Sequence, residues 1–486
     1  MEQQELEPRH SKLNMASYGS GSLAREFINM AFATTVFFYY EVALGVDVWI
    51  ITIAMFIFAF YNMINDPMLG YLINRPFKFT QRLGRRFPWL LIGGIPLCFS
   101  YLIIFTPPVT DPSIVYGNIS GEWILFLWLL LTICVFDTFH SLYFVNFMSL
   151  FPEKYRSDRE RRTASGIYIP IGVIGVALGA MIPPLVFIYP EELIPKSIIL
   201  PSFIVQGIVV ALICLVGMLL AIPGFREDKD LVQTYLNTYE QNPERESFFR
   251  SLWTALKQKS FVVYMVIYTM YQSQVTTMQN SVNYAVSYVV DKPGGLTTNT
   301  MATLIFAAFL VGVIIATPFW VRYSHRANNN KKVMLISSIG LGITTLPLLF
   351  ITNYWGVVIT MLIWGLFLGG FWFMIFPVMS DVIDESVAIT GRREEAVYAG
   401  FSQFFARIGI IAQTLTFAIV HTLTGFKEGV DPIFQPPSAA VGIQIHLGLI
   451  PAIFIFIGAF VFWRYYKLTP DKIAENRLKI GEFSIK

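Results

Sequence analysis

Charge is scarce in this sequence. Only 14% of its 486 residues are Asp, Glu, Lys or Arg, against roughly 25% in soluble domains. An ordinary soluble globular domain is therefore not expected. Cysteine is scarcer still: Cys98, Cys134 and Cys214 all fall inside long apolar runs, which argues against a disulfide framework. No glycine-rich phosphate loop followed by Lys-Ser/Thr is present, so the chain is not expected to hydrolyse ATP for transport. There is also no His/Cys cluster with metal-ligand spacing and no Gly-x-Ser-x-Gly elbow. No enzyme and no resident cofactor are expected. The first 13 residues are polar and acidic (Glu2, Glu5, Glu7), unlike the basic start of a cleavable signal peptide.

Apolar residues fill the space that charge leaves. Hydrophobic residues make up 55% and aromatics 16% of the chain, and the mean hydropathy is +0.57. Runs long enough to cross a bilayer recur throughout. Twelve are read: 17–44, 48–74, 88–107, 121–151, 162–189, 198–222, 259–290, 299–322, 332–352, 355–385, 393–424 and 443–466. The sequence thus predicts an all-α membrane protein of twelve transmembrane helices, with the lipid bilayer as its constant partner.

The basic residues set the orientation. Arg75, Lys78, Arg82, Arg85 and Arg86 crowd the connection after the second span, and Lys154, Arg156, Arg159, Arg161 and Arg162 the one after the fourth. The opposite connections carry only Lys196, Lys292 and Lys427. By the positive-inside rule both termini are cytoplasmic, and a plasma-membrane location is expected. The net charge of +3 is topological and implies no nucleic-acid partner. Asn118-Ile119-Ser120 is a glycosylation sequon on the outer side.

Two halves of six spans are joined by a charged link. Residues 1–224 form the first bundle, 225–259 a cytoplasmic linker, and 260–486 the second bundle with a cytoplasmic tail. A weak repeat supports the division. Ser149 to Gly179 passes through Arg159-Glu160-Arg161-Arg162 into a glycine-rich helix, and Ser380 to Gly409 does the same through Arg392-Arg393-Glu394-Glu395. Such six-plus-six halves are the architecture of many secondary transporters.

Polar groups inside the spans are the functional candidates, because charge in lipid costs roughly 2.5–3.5 kcal/mol per residue on insertion scales. In the second span Asn62, Asn65 and Asp66 share one helix face, and Pro67 deprives the Met63 carbonyl of its helical partner. Three side-chain oxygens beside a freed carbonyl suit a small hard cation. The alternative is a kink whose aspartate bonds a neighbouring helix. Of 35 Lys and Arg residues only Arg25 and Arg407 lie well inside spans. The acids in comparable positions are Glu26, Asp66 and Asp137, with Asp381 and Asp384 near the end of the tenth span. Set against the two arginines, the first three leave one negative charge over, which one bound cation or proton would balance. The seventh span adds a polar stripe of Gln272, Thr276, Gln279, Asn280 and Asn283.

Several motifs in order carry a family resemblance. Ser17-Tyr18-Gly19, Phe38-Tyr39-Tyr40, Ile64-Asn65-Asp66-Pro67 and Gly84-Arg85-Arg86-Phe87-Pro88-Trp89 resemble the first half of the glycoside–pentoside–hexuronide:cation symporters. Asp381-Val382-Ile383-Asp384, Gly391-Arg392-Arg393 and Tyr398-Ala399-Gly400 resemble its second half. The resemblance covers essentially the whole chain and implies the major facilitator fold in two six-helix bundles. It further implies a monomeric, cation-coupled secondary transporter of a sugar, glycoside or sugar acid.

Carried over residue by residue, the resemblance puts the cation site at Asn62, Asn65, Asp66 and Ser141. The family has an aspartate where this chain has Asn62, so sodium would be held more weakly and proton coupling through Asp66 becomes its rival. The co-transported ion is thus Na⁺ or H⁺. The family's sugar-holding aspartate and arginine fall on Phe144 and Ile169. Substrate candidates are Arg25, Glu26 and Arg407, with Gln272 and Gln279 from the stripe. Asp137 lies seven residues, about two turns, before Phe144 on nearly the same helix face and could replace the missing acid, with His140 one turn further along. Alternatively Asp137 and His140 pair with each other or with a neighbouring helix. A sodium-dependent lysophospholipid carrier and a non-transporting receptor of the same fold are the other two readings.

Overall fold

Lipid offers no partner to backbone polar groups, so apolar runs of this length are stable only as helices. The computed structural model describes residues 10–73, 80–116, 118–155, 158–190, 194–228, 256–390 and 395–484. Two compact units divide the chain, Met1–Arg245 and Glu246–Lys486.

The first unit holds α1 (Lys12–Leu44), α2 (Val48–Ile73), α3 (Phe87–Ile104), α4 (Gly121–Lys154), α5 (Asp158–Val186) and α6 (Lys196–Phe225). The last six residues of α1, Tyr39–Leu44, form a π-helical turn. A small antiparallel hairpin precedes α4, pairing Val115 with Ser120 and Tyr116 with Ile119, and Asn118 is exposed at its tip. The second unit holds α7 (Lys259–Tyr288), α8 (Thr298–Ala327), α9 (Asn330–Leu349), α10 (Tyr354–Thr390), α11 (Glu395–Thr424) and α12 (Pro437–Tyr465). A further helix, α13 (Pro470–Ser484), follows. α12 contains a π-helical turn at Ile445–Leu449.

The twelve long helices match the twelve expected runs. Eleven of them are apolar enough to span a membrane by composition alone. The exception is α7, because its interior is polar: Ser273, Gln274, Thr277, Gln279, Asn280, Ser281 and Asn283 are all buried. It is held by packing against α11 and α12 rather than by contact with lipid.

Small residues let the helices approach, as they must where lipid competes equally for apolar surface. α1 packs against α5 and α6. A Cβ at Gly175 would lie 2.4 Å from the Leu23 carbonyl oxygen, and one at Gly179 2.3 Å from that of Phe27. The glycine-rich character of α5 is thus its contact surface with α1.

A charged clasp gathers the ends of three helices where the chain leaves α6. Glu227 Oε2 accepts the N–H groups of Arg86 (2.7 Å) and Phe87 (3.1 Å), capping the start of α3. Gly84 sits under the same oxygen at φ +97°, where a Cβ would come within 2.3 Å of it. Lys154, at the end of α4, donates to the carbonyls of Gly224 (2.5 Å) and Arg226 (3.1 Å), capping α6. Each charge is opposite in sign to the helix end it meets. His10 joins the clasp through Glu160, 2.8 Å from its Nδ1, and Asp228, 3.4 Å from its Nε2. Burial pushes the Lys154 ammonium down to about 8 against the pull of Asp228, Glu160 and Glu227. Burial also raises the Glu227 carboxyl, offset in part by its two N–H donors. Of the expected linker 225–259, residues 229–255 lie outside the described residues, as do Arg392, Arg393 and Glu394 of the repeat.

Candidate functional site

The polar face of α2 meets α4. Asn62 and Asn65 are each 1% exposed, one helical turn apart, and both turn their amides inward. Asn65 Nδ2 lies 3.5 Å from Asp137 Oδ2, and Ser141 Oγ approaches the same oxygen at 3.4 Å. Asp137 and Ser141 are four residues apart on α4, so their side chains stack on one face. Both are 2% exposed. These contacts sit at the long limit of hydrogen bonding. Asn62 Nδ2 turns back to the Phe58 carbonyl at 3.3 Å.

Two acceptors remain. The Oδ1 atoms of Asn62 and Asn65 are buried without a hydrogen-bond donor. A buried polar atom left unsatisfied costs about 1–3 kcal/mol, and native structures rarely leave two together. Amide oxygens, a carboxylate and a hydroxyl are the donor set of a hard monovalent cation. The residues present therefore fit an oxygen-coordinated ion. Asp66 follows Asn65 directly in α2, but its side chain lies outside those described. Of the four expected coupling residues, Asn65 and Ser141 are linked through Asp137, a residue assigned from sequence to the solute site.

The other candidates of the first unit gather around Phe144. The Arg25 guanidinium lies 4.8 Å from the centre of that ring and is paired with Glu26. Arg25 is 16% and Glu26 25% exposed at the side chain, so the pair reaches an open space. Arg25 Nε is itself buried without an acceptor. His140 stacks between Phe136 and Phe144, with centroids 6.3 Å and 6.1 Å away. Ile169, the other changed family position, is half exposed.

In the second unit α7 touches α11 at the height of Arg407. Thr276 Oγ1 donates to the Gly409 carbonyl at 3.3 Å, and a Cβ on Gly409 would lie 2.9 Å from Gln272 Cβ. Gln272 and Arg407 thus belong to one neighbourhood. Gln279, two turns further along α7, is buried. Trp372 donates its indole N–H to the hydroxyl of Tyr271, which stacks on Phe371 at 4.1 Å.

Sequence reasoning passed over three groups. Glu41 lies in the π turn of α1 with no exposed surface, so the tally of buried acids must include it and a single surplus charge no longer follows. Cys98 and Cys214 are free thiols whose sulfurs are 3.1 Å apart between α3 and α6. His421 and His446 face each other inside the second unit. Counting histidine and every acid within the spans would have flagged Glu41 and both histidines; nothing local marks the cysteine pair.

Comparison with known proteins supplies the wider context. A family model described as MFS/sugar transport protein matches residues 17–470. The "Sodium-dependent lysophosphatidylcholine symporter 1" of Gallus gallus is 20% identical over 89% of this chain and 82% of its own length. The "Uncharacterized symporter YnaJ" of Bacillus subtilis is 22% identical over 97% of this chain and 96% of its own. The "Lactose permease" of Lactobacillus helveticus is 22% identical over 50% of this chain and 36% of its own. Among solved structures, a D-xylose-proton symporter superposes with a TM-score of 0.61 at 12% identity, covering 93% of this chain and 97% of that one. The nucleoside transporter NupG gives 0.58 at 13% identity, over 94% and 99%. These structures share the major facilitator fold with this chain.

Proposed function

The chain belongs to the MFS/sugar transport protein family, and we propose that within it the chain is a cation-coupled symporter working by alternating access. The observation that carries this reading is the buried contact of Asn65 and Ser141 with the Asp137 carboxylate, with the amide oxygens of Asn65 and of Asn62, one turn away on α2, both lacking donors. A transporter with no ion to bind would gain nothing from orphaned acceptors in its core. Asp137 supplies the described carboxylate of the site; Asp66, which follows Asn65 in the sequence, is retained from the sequence as the coupling acid. Sodium suits the oxygen set; a proton on either carboxylate is the rival. The distribution of basic residues favours cytoplasmic termini, and the plasma membrane is proposed as the location.

The solute-contacting candidates, in this reading, are Arg25 and Glu26 within the first unit and, taken separately, Arg407, Gln272 and Gln279 within the second. A sugar, glycoside or sugar acid is the first expectation. The lysophospholipid reading is favoured by a specific observation: the positions where the family holds sugar hydroxyls carry Phe144 and Ile169. With Phe144 lying under Arg25, this part of the site offers an apolar surface beside a cation. That combination suits an acyl chain next to a phosphate, and Arg25 would grip the phosphate.

A thermal-shift screen decides between them. Purified protein is heated with sugars, sugar acids and lysolipids, each in sodium and in potassium, since a ligand of the native state alone raises apparent stability. Stabilisation by one solute class that is larger in sodium, or larger at low pH, names both substrate and ion. Indifference to every solute and every ion would favour the non-transporting receptor.

A further inference from the structure

Two imidazoles meet in the second unit, away from the residues assigned to transport. His421, in the last turn of α11, and His446, in the π-helical turn of α12, point their Nε2 atoms at each other at 3.2 Å. They are 1% and 0% exposed. Wide π turns recur at functional positions because they re-aim a side chain that a regular helix would direct elsewhere. Here the turn presses Gly448 against the backbone at Leu348 and Leu349 and delivers His446 inward.

Hydrogen bonding determines which nitrogens carry protons. Ser281 Oγ lies 2.6 Å from the Thr277 carbonyl and 3.0 Å from that of His446. Its single proton must point at an oxygen, so its lone pair accepts from His446 Nδ1–H at 2.7 Å. His446 is then the Nδ1–H tautomer, and its Nε2 is an acceptor. His421 must carry its proton on Nε2 and donate across the contact. The relay runs one way, from His421 through His446 and Ser281 to the Thr277 carbonyl.

We propose that His421 and His446 form a binding site for one proton, taken up by the pair with its charge shared across the Nε2–Nε2 contact. A single added proton goes to His421 Nδ1, which carries no hydrogen in the neutral pair, and leaves the one N–H already between the facing nitrogens to be shared, with the charge spread over both rings. A second would set two N–H groups and two positive charges against each other at 3.2 Å. The surroundings suit one delocalised cation. Phe426 stacks on His421 at 4.4 Å, Phe417 lies 4.4 Å from His446, and Tyr284 is within 5.3 Å of His421 and 5.8 Å of His446. Aromatic rings stabilise such a charge through their quadrupoles.

The neighbouring elements bring few competing charges. α7 contributes Ser281 and Tyr284, with Tyr288 one turn on against Phe426. The segment after α11 contributes Phe426, followed by Lys427 and Glu428. α9 meets the turn through Leu348 and Leu349 and carries Lys331 and Lys332 at its opposite end. The pair thus gives the second unit a proton acceptor distinct from the carboxylates of the first, and its existence does not depend on the symport reading.

Ring-nitrogen NMR tests it directly. The chain has only five histidines, so isotope-labelling imidazole nitrogens in the full-length protein, in lipid nanodiscs, yields few signals. The expected spectrum at about pH 8 shows His446 as the Nδ1–H and His421 as the Nε2–H tautomer. Acidification should then shift both together in one step that adds one proton to the pair. His421→Gln should remove that step from His446, and His446→Gln from His421. The wild-type spectrum alone reads the tautomers and the proton count, so a variant that fails to fold leaves the test intact. Like tautomers, two independent titrations ending with both rings doubly protonated, or no proton uptake before unfolding would overturn the proposal. Signals displaced by zinc or copper(I) and not by acid would overturn it too, in favour of a metal site.

Discussion

Asn65 of α2 and Asp137 of α4 face each other, the amide nitrogen 3.5 Å from the carboxylate. The Asn65 amide turns its nitrogen to the acid and leaves its oxygen without a donor. A cation beside the carboxylate would meet that oxygen.

Asp137→Asn is therefore expected to abolish ion dependence. In the wild type, sodium at about a hundred times its dissociation constant would stabilise the fold by about 2.7 kcal/mol relative to potassium. The difference should vanish in the variant, read as the melting temperature in the two salts. Asn62→Asp, which restores an acid to α2, should tighten sodium binding about tenfold or more. An undiminished sodium effect in Asp137→Asn would remove this residue from the site.

Phe144 is expected to decide solute class. The ring lies under Arg25 at 4.8 Å, a contact worth about 0.5–2 kcal/mol. Phe144→Asp would set a carboxylate there, able to accept sugar hydroxyls while pairing with Arg25. Sugar affinity measured by calorimetry should rise and lysolipid affinity should fall. If both are unchanged, neither solute contacts this ring.

Gly84→Ala should loosen the clasp. The new Cβ would lie 2.3 Å from Glu227 Oε2, at a φ of +97° that an alanine rarely adopts. Displacing that oxygen frees two N–H groups at the start of α3. A loss of about 2–4 kcal/mol is expected from the cap and the strain together, measured as a lower melting temperature of the purified protein.

Lys154 makes stability depend on alkaline pH. Its value of about 8 lies below the ordinary 10.5 because the ammonium is buried. Below about pH 8 folded and unfolded chains both hold the proton, and pH has no effect through this residue. Between about 8 and 10.5 the unfolded chain holds a proton that the folded chain releases, so this contribution to stability rises with pH. The difference between wild type and Lys154→Met should climb by about 1–3 kcal/mol over that window. Reversible unfolding of both proteins across the range measures it.

Much of this molecule was legible in one dimension. Twelve apolar runs became twelve helices, six in each unit, because the need to satisfy every backbone group in lipid is local to each segment. The shared face of Asn62 and Asn65 followed from helical spacing. So did the polar stripe of α7, which the packed unit turns into a buried interior. What spacing does not contain is the rotation of each helix about its axis and the depth at which it meets a neighbour. Those are decided by packing, by Gly175 and Gly179 against α1 for example. Packing placed Asp137 beside Asn65, Glu227 beneath the start of α3, and His446 opposite His421 through a π turn that no local pattern announces. The sequence by itself determined that the chain is a twelve-helix membrane protein with polar groups stranded in lipid. Only the tertiary structure decided which of those groups find each other, because partners on different helices are chosen by the side-chain surfaces between them.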